Sequence, residues 1–391
     1  MTVNGICIIT TRIGNAGFSP LINLIRAVTS ATSDKVLVIS SSNFKDFLYS
    51  SKIKDFQNIT IEIDPIGRKN KESWLVSVLY YPIVQLKTAI KLISRKDEYD
   101  VVIFFIGSEK MLLPIAISKI LNKKIAILLA GSEKNVEIMR NRFIGVIVGF
   151  VSEIVKKLSD MIFVYSPNLI TEWGLHEYIN KITFAYEHCI EFEWKQTKMS
   201  RKDIGFVGRL SAEKGLGEFL KAIEIIEQRG RNFKYSFIIA GDGELRDVVK
   251  KFAEKSKKLK YLGWLDKNKL YELLPQLRLL VLPSYTEGLP NIVLEAMKCK
   301  TPVVATSVGA ISDVVTHGKT GYIIPKNDPA VLSEVIECLV YEPAKLRKIG
   351  HNACILVNNK FNRDYVVGRW MKVLCKFGTS EDLDKRYRED E

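Results

Sequence analysis

Two short strings in the second half of the chain carry the residue types needed to hold an anionic, hydroxyl-rich ligand. The first is Gly208-Arg209-Leu210-Ser211-Ala212-Glu213-Lys214-Gly215, which follows the apolar run Asp203–Val207 and precedes a helical pattern that starts near Leu216. Gly208 lets a ligand approach the backbone, Arg209 can fork two phosphate oxygens, and Lys214 adds a mobile point charge. Read in isolation, the string is equally a solvated basic loop ahead of a helix. The second string runs from Pro283 to Ala296 and places Glu287 in a loop and Glu295 eight residues on, just over one turn into a helix that opens near Asn291. Helix geometry leaves the backbone N–H groups across Gly288, Leu289, Pro290 and Asn291 without partners, ready for sugar hydroxyls or an anion. A buried carboxylate accepting from two vicinal hydroxyls suits a ribose, and a loop carboxylate can do the same for a hexose. The other reading of Glu295 is a helix-surface ion pair, but Lys298 and Lys300 do not stand at the ideal spacing of four.

The two strings, Gly-Arg-Leu-x-x-Glu-Lys-Gly and Pro-Ser-x-x-Glu-Gly-x-x-x-x-x-x-Glu-Ala, lie in that order with roughly 70 residues between them. Between and after them come Ala240-Gly241-Asp242-Gly243, Tyr261-Leu262-Gly263-Trp264, and Pro302 to Ser307 followed by Gly309. The ordered set resembles glycosyltransferase family 4, over about Ile204 to Leu339; over the first 195 residues the likeness is faint. That resemblance implies a GT-B fold, two doubly wound Rossmann-like α/β domains facing a central cleft. It also implies a retaining transfer of a hexose-type sugar from a nucleotide-sugar donor, UDP- or GDP-linked. By the same resemblance the catalytic residues are Arg209 and Lys214 on the donor diphosphate and Glu287 on the transferred sugar. Glu295 takes the ribose hydroxyls, and Gly208 and Gly288 to Asn291 complete the donor site.

The assignment is physically coherent. Breaking a glycosyl–phosphate bond puts positive charge on the sugar and negative charge on the leaving phosphate, so cations at that phosphate stabilise the transition state more than the ground state. No metal is then required, and no Asp-x-Asp pair stands outside the C-terminal tail, where Asp382 and Asp384 lie. The expectation is therefore no cofactor and no metal, with the nucleotide sugar as co-substrate.

The elements that must position these residues alternate regularly. In the first half, strand-like runs lie at 5–10, 35–40, 59–63, 100–106, 124–129 and 161–165, with helical patterns at 20–30, 73–94, 110–121 and 146–158. In the second half, strands are expected at 203–207, 235–240, 260–262, 279–282, 302–306 and 321–324. Helices are expected at 216–228, 244–255, 267–274, 291–299, 311–316 and 329–341. That rhythm means right-handed βαβ units on parallel sheets covered on both faces. The polar stretch 191–202 reads as a linker, which gives an acceptor-binding domain over 1–196 and a nucleotide-sugar-binding domain over 197–358. A helix over 359–378 is expected to return to the first domain, ahead of a charged, frayed tail at 379–391.

The first half is less informative. The loop Arg12 to Gly17 follows the first strand and precedes a helix, so Gly14 can reach donor phosphates; an ordinary strand–helix turn accounts for it equally well, and it is not a G-x-G-x-x-G fingerprint. Gly-Ser-Glu-Lys occurs at 107–110 and at 131–134, each after a strand, with Ser read as a helix N-cap. The family often carries a histidine near the second of these; Ala130 and Gly131 stand there. Tyr186-Glu187-His188 replaces its Asn-Gly turn, and His188 reads as a structural histidine before a catalytic one.

Composition closes off other classes. Of 391 residues, 47% are hydrophobic and 26% charged, which belongs to a globular protein with a sizeable core. The longest apolar runs fall short of the roughly 20 residues of a membrane span. Val3–Thr10 reads as a strand without the marks of a secretory leader, so a cytoplasmic protein is expected. The six cysteines show no C-x-x-C pair and read as reduced thiols. The net charge of +14 admits nucleic acid, phosphate-rich ligands or an anionic membrane as partners. Nucleic acid is not expected. A glycan or lipid-linked acceptor at the inner face of the cell membrane fits the charge, and the basic, aromatic stretch Trp74–Lys96 can lie on a bilayer or be a core helix with a solvated face. The rival functions are a nucleotide-sugar epimerase on the same fold and a non-catalytic basic protein that binds nucleic acid or membrane.

Overall fold

The structure, a computed structural model, describes residues 5–10, 15–32, 34–41, 59–64, 74–108, 110–130, 142–194, 201, 203–230 and 233–377. The chain divides into two compact units, Met1–Cys189 with Arg363–Glu391, and Ile190–Asn362. Gly14, the repeat at 131–134, and the tail from 379 lie outside the described residues.

In the first unit the described elements are β1 (Ile6–Thr10), α1 (Asn15–Ala31), β2 (Val36–Ser41), β3 (Ile59–Asp64) and α2 (Trp74–Ser94). They continue with β4 (Val101–Phe105), α3 (Leu112–Ile120), β5 (Lys124–Leu128), α4 (Arg142–Leu158), β6 (Met161–Val164), α5 (Asn168–Glu172) and β7 (Ile182–Phe184). The strands form one parallel sheet in the order β3-β2-β1-β4-β5-β6-β7. β1 and β4 are buried from end to end, as unbroken aliphatic runs must be when helices cover both faces. The order reverses between β1 and β4, where the first crossover runs one way and the later ones the other.

The second unit comprises β8 (Asp203–Val207), α6 (Leu216–Gln228), β9 (Ser236–Ala240), α7 (Arg246–Lys255), β10 (Leu259–Gly263), α8 (Lys267–Leu273), β11 (Leu277–Leu282) and α9 (Asn291–Lys298). Then come β12 (Val303–Thr306), α10 (Ile311–Val314), β13 (Tyr322–Ile324), α11 (Pro329–Val340) and α12 (Pro343–Lys360). Its sheet is also parallel, in the order β10-β9-β8-β11-β12-β13, and reverses between β8 and β11. Helix starts are secured locally: Asp266 accepts from Lys269 N (3.0 Å) and Asp328 from Val331 N (2.9 Å), the latter with Pro329 in the first helical position.

The last helix, α13 (Arg363–Cys375), belongs to the first unit, where it packs on α1. Trp370 is fully buried there; its ring meets Phe163 edge-on (5.3 Å) and its Nε1–H donates to the Tyr186 carbonyl (3.2 Å). Arg369 lies over the Tyr186 ring (4.7 Å) and donates to the Phe184 carbonyl (3.0 Å). These contacts pin β7, the edge strand, although it is only three residues long.

Candidate functional site

Parallel α/β sheets bind ligands beyond the carboxyl ends of their strands, at the point where strand order reverses. In the second unit that point lies between β8 and β11, and the loops leaving those two strands are Gly208–Gly215 and Pro283–Pro290. The two loops are tied to each other. Tyr285 N donates to the Glu213 carbonyl (2.9 Å), and Lys214 Nζ donates to both oxygens of Glu287, at 2.7 and 2.7 Å. The crossing is tight at Gly215, which has φ +67°; a Cβ there would stand 1.9 Å from the Pro283 carbonyl oxygen. Only glycine satisfies both demands.

The ion pair is sheltered. Glu287 is 5% exposed and Lys214 20%. Ser284 Oγ donates to Glu287 Oε1 (2.7 Å), while the Ser284 carbonyl accepts from the Thr306 hydroxyl at the end of β12. Arg209 is exposed and reaches the buried Glu213 (3.1 Å), so its guanidinium is anchored at the loop with donors to spare. Beside these charges, Ser211 Oγ and Thr286 Oγ1 are buried without a hydrogen-bond partner in the protein. A buried hydroxyl left unpaired costs about 1–3 kcal/mol, and each of the two loops carries one.

Glu295 sits half-buried on α9, and Tyr271 Oη on α8 donates to its Oε1 (3.3 Å). The Tyr271 ring stacks flat on Phe192, 3.9 Å between centroids and 3° between planes. Burial holds the Glu295 carboxyl above the usual carboxylate range, against the pull of Lys267 and the Tyr271 hydrogen bond. Of the donor-loop residues, Gly208 has φ +156° with open space where a Cβ would project. Gly288 and Leu289 are buried, and the Gly288 carbonyl accepts from Ala310 N (2.8 Å). Pro290 and Asn291 are half-buried at the start of α9. Pro290, an imino acid, has no N–H, so it drops out of the expected set of amides. Sequence reasoning did not single out Ser211, Ser284, Thr286, Tyr271 or Phe192. The hydroxyls lay inside the quoted strings; nothing local marks the stacked pair.

In the first unit, Ser108 is not a helix cap. It is buried, and its hydroxyl reaches the carbonyls of Ile9 (2.8 Å) and Phe105 (2.7 Å), tying β4 to β1, while α3 starts only at Leu112. His188 is buried with its ring edge-on to Tyr165 (4.9 Å). Tyr165 Oη donates to Glu187 Oε1 (3.1 Å), and Glu187 Oε2 is buried without a hydrogen bond. Burial raises the Glu187 carboxyl above its ordinary 4.5, with His188 pulling the other way. The folded state therefore holds this proton more tightly than the unfolded chain, so stability falls as pH rises from about 4.5 through the raised value. Glu187→Gln is expected to flatten that slope in melting temperature against pH; an unchanged slope would show that Glu187 is not its source. Among the described residues, no three His, Cys, Asp or Glu side chains cluster to hold a metal ion.

The family match falls in the second unit. Residues 190–356 match the family described as Glycosyl transferases group 1. The chain is 29% identical over 220 residues to the capsular polysaccharide biosynthesis glycosyltransferase CapM of Staphylococcus aureus, covering 51% of this chain and 56% of CapM. It is 29% identical over 160 residues to the alpha-D-kanosaminyltransferase of Streptomyces kanamyceticus, covering 40% and 41%. The chain thus spans about half or less of the length of these relatives. Among solved structures, Anabaena HepE in complex with UDP and glucose superposes with a TM-score of 0.70 at 17% identity, over 95% of this chain and 99% of HepE. Sucrose-phosphate synthase of Thermosynechococcus elongatus gives 0.72 at 15% identity, over 96% and 99%. At such identities the likeness speaks to the fold, which is the two-domain α/β GT-B fold.

Proposed function

We propose, from a second unit that matches group 1 glycosyl transferases on a GT-B fold, that this protein is a retaining, metal-independent glycosyltransferase. It moves a hexose from a UDP- or GDP-sugar to a glycan or lipid-linked acceptor. One observation carries the reading: Lys214 and Glu287 form a sheltered, two-pronged ion pair at the crevice where the strand order of the second unit reverses. In support, the relatives include a transferase of capsular polysaccharide biosynthesis, and HepE was solved with UDP and glucose.

In this reading the donor diphosphate lies against the Gly208–Gly215 loop, where Lys214 and the outward guanidinium of Arg209 meet it. The ribose hydroxyls donate to Glu295, whose position Tyr271 holds. The hexose lies at Glu287, whose carboxylate accepts from its hydroxyls. The bond from the anomeric carbon to phosphate breaks, and the acceptor oxygen bonds to that carbon on the same face. The acceptor proton passes to the departing phosphate. Lys214 bridges phosphate and Glu287, so charge at both ends of the breaking bond is met by groups already in place. Catalysis takes place at an anionic membrane surface, where the excess of positive charge concentrates the protein.

The test is a thermal-shift screen of UDP-, GDP- and ADP-sugars with chelator present, followed by product analysis with acceptor glycans. A ligand that binds only the native state raises its melting temperature, so one UDP- or GDP-sugar is expected to stabilise the protein by several degrees. No stabilisation by any nucleotide sugar would count against the reading; stabilisation that needs a divalent ion would count against metal independence.

A further inference from the structure

On α2, Leu92 and Ala89 face the core, as one stripe of a sheet-covering helix must. The same helix carries a second apolar stripe that faces solvent. Ile83, Leu86, Ile90 and Ile93 are 46%, 54%, 56% and 47% exposed, and at 100° per residue they fall within about a quarter turn of one another. The neighbouring helices continue it. α3 packs against both α2 and α4, and on the solvent side it presents Ile120 at 77% exposure, while α4 presents Phe150 at 69%. Of the fifteen exposed large apolar side chains among the described residues, nine stand on these three neighbouring helices, a concentration beyond the usual scatter.

The charges on these helices are mostly basic. The three helices hold six Lys or Arg and a single acid, Glu153. Lys87 and Lys91 border the stripe on α2, while Lys119, beside Ile120, is paired with Asp160 (2.9 Å) and Lys156 with Glu153. No helix among the described residues is long and apolar enough to cross a membrane.

We infer that the solvent face of α2, α3 and α4 docks on an anionic lipid surface. Aliphatic and aromatic side chains enter the headgroup boundary, and lysines along the rim meet lipid phosphates. The charge selects this occupant over a second copy of the chain, because two faces of this sign, on a protein of net charge +14, repel when brought together. An anionic bilayer instead attracts each rim cation while the apolar stripe is withdrawn from water. This inference narrows the membrane association in the proposed function to one face, and it stands without the donor site.

The experiment is flotation of the full chain with vesicles of phosphatidylglycerol and phosphatidylcholine, beside vesicles of phosphatidylcholine alone, at low and high salt. The wild type is expected to float with the anionic vesicles, less at high salt, and little with the neutral ones. The triple variant Leu86→Ser, Ile90→Ser, Phe150→Ser changes only exposed positions, so it should keep its melting temperature and its turnover with soluble acceptor while losing vesicle binding by roughly tenfold or more. Flotation of the variant equal to wild type would overturn the assignment, as would equal binding to neutral vesicles. A wild type that stays in solution with vesicles but sediments as a dimer, which the triple variant dissolves, would give the face to a second copy. A wild type that floats with the anionic vesicles but turns over no nucleotide sugar would strike the transferase reading and leave the docking face standing.

Discussion

Glu287→Ala is expected to lower kcat by about 10²–10³-fold with a much smaller change in the apparent affinity for donor. Its carboxylate is 5% exposed and held in position from two sides by Lys214 and Ser284, so it is fixed before any sugar arrives. Groups so fixed stabilise developing charge without reorganising, and their loss falls on the transition state. The stability cost is smaller, about 1 kcal/mol, because the Lys214 ammonium left behind is 20% exposed and can turn to water. Glu295→Ala gives the contrast. A residue that holds the ribose raises KM for donor more than it lowers kcat. Turnover within a few-fold of wild type in Glu287→Ala would remove this residue from the chemistry.

Lys214→Ala is expected to be the more damaging of the two to the fold. It leaves the Glu287 carboxylate almost wholly buried with Ser284 as its hydrogen-bond donor. Removing one partner of a sheltered ion pair costs about 2–4 kcal/mol, which lowers the melting temperature by something on the order of 10 °C in a unit of this size. Activity falls as well, since the phosphate loses its mobile cation. The double variant Lys214→Ala, Glu287→Ala should melt above Lys214→Ala alone, because it removes the stranded charge; this is the signature of coupling between the two positions. Lys214→Arg keeps a cation at the loop and is expected to retain the fold while losing turnover, because a planar fork does not reproduce the point charge. Equal melting of Lys214→Ala and wild type would show that the pair contributes nothing to stability.

Much of the fold was legible from alternation alone, since parallel strands buried on both faces read as unbroken aliphatic runs. β8 and α6 carry the bounds their residues suggest. Others, among them α5, β7 and α12, were not. β7 is three residues long, below any window in which a period of two can be counted, and its strand character comes from pairing with β6 and from the cover of α13. α12 hides its apolar positions Leu346, Ile349, Ala353 and Val357 among Gly350, Asn352, Asn358 and Asn359, which are poor helix formers. Gly350 is there because the helix crosses the Lys300 backbone so closely that a Cβ would stand 2.2 Å from that carbonyl oxygen. Packing overrode propensity.

The site divides in the same way. Residue types announced the charges, and nothing in the strings said which charge meets which. Lys214 and Glu287 lie 73 residues apart and touch because the crossovers place β8 beside β11. Arg209 turned out to rest on Glu213, one residue before that lysine, and the stack of Phe192 on Tyr271 depends on a tertiary approach with no local signal.

The measurement that bears most directly on the donor site is a crystal structure grown with UDP, and with GDP, at saturating concentration. The expected density places the diphosphate within hydrogen-bond distance of Lys214 and Arg209, with the ribose at Glu295 and the terminal phosphate pointing toward Glu287. A nucleotide bound elsewhere in the second unit, or only at the first unit's reversal point between β1 and β4, would contradict it.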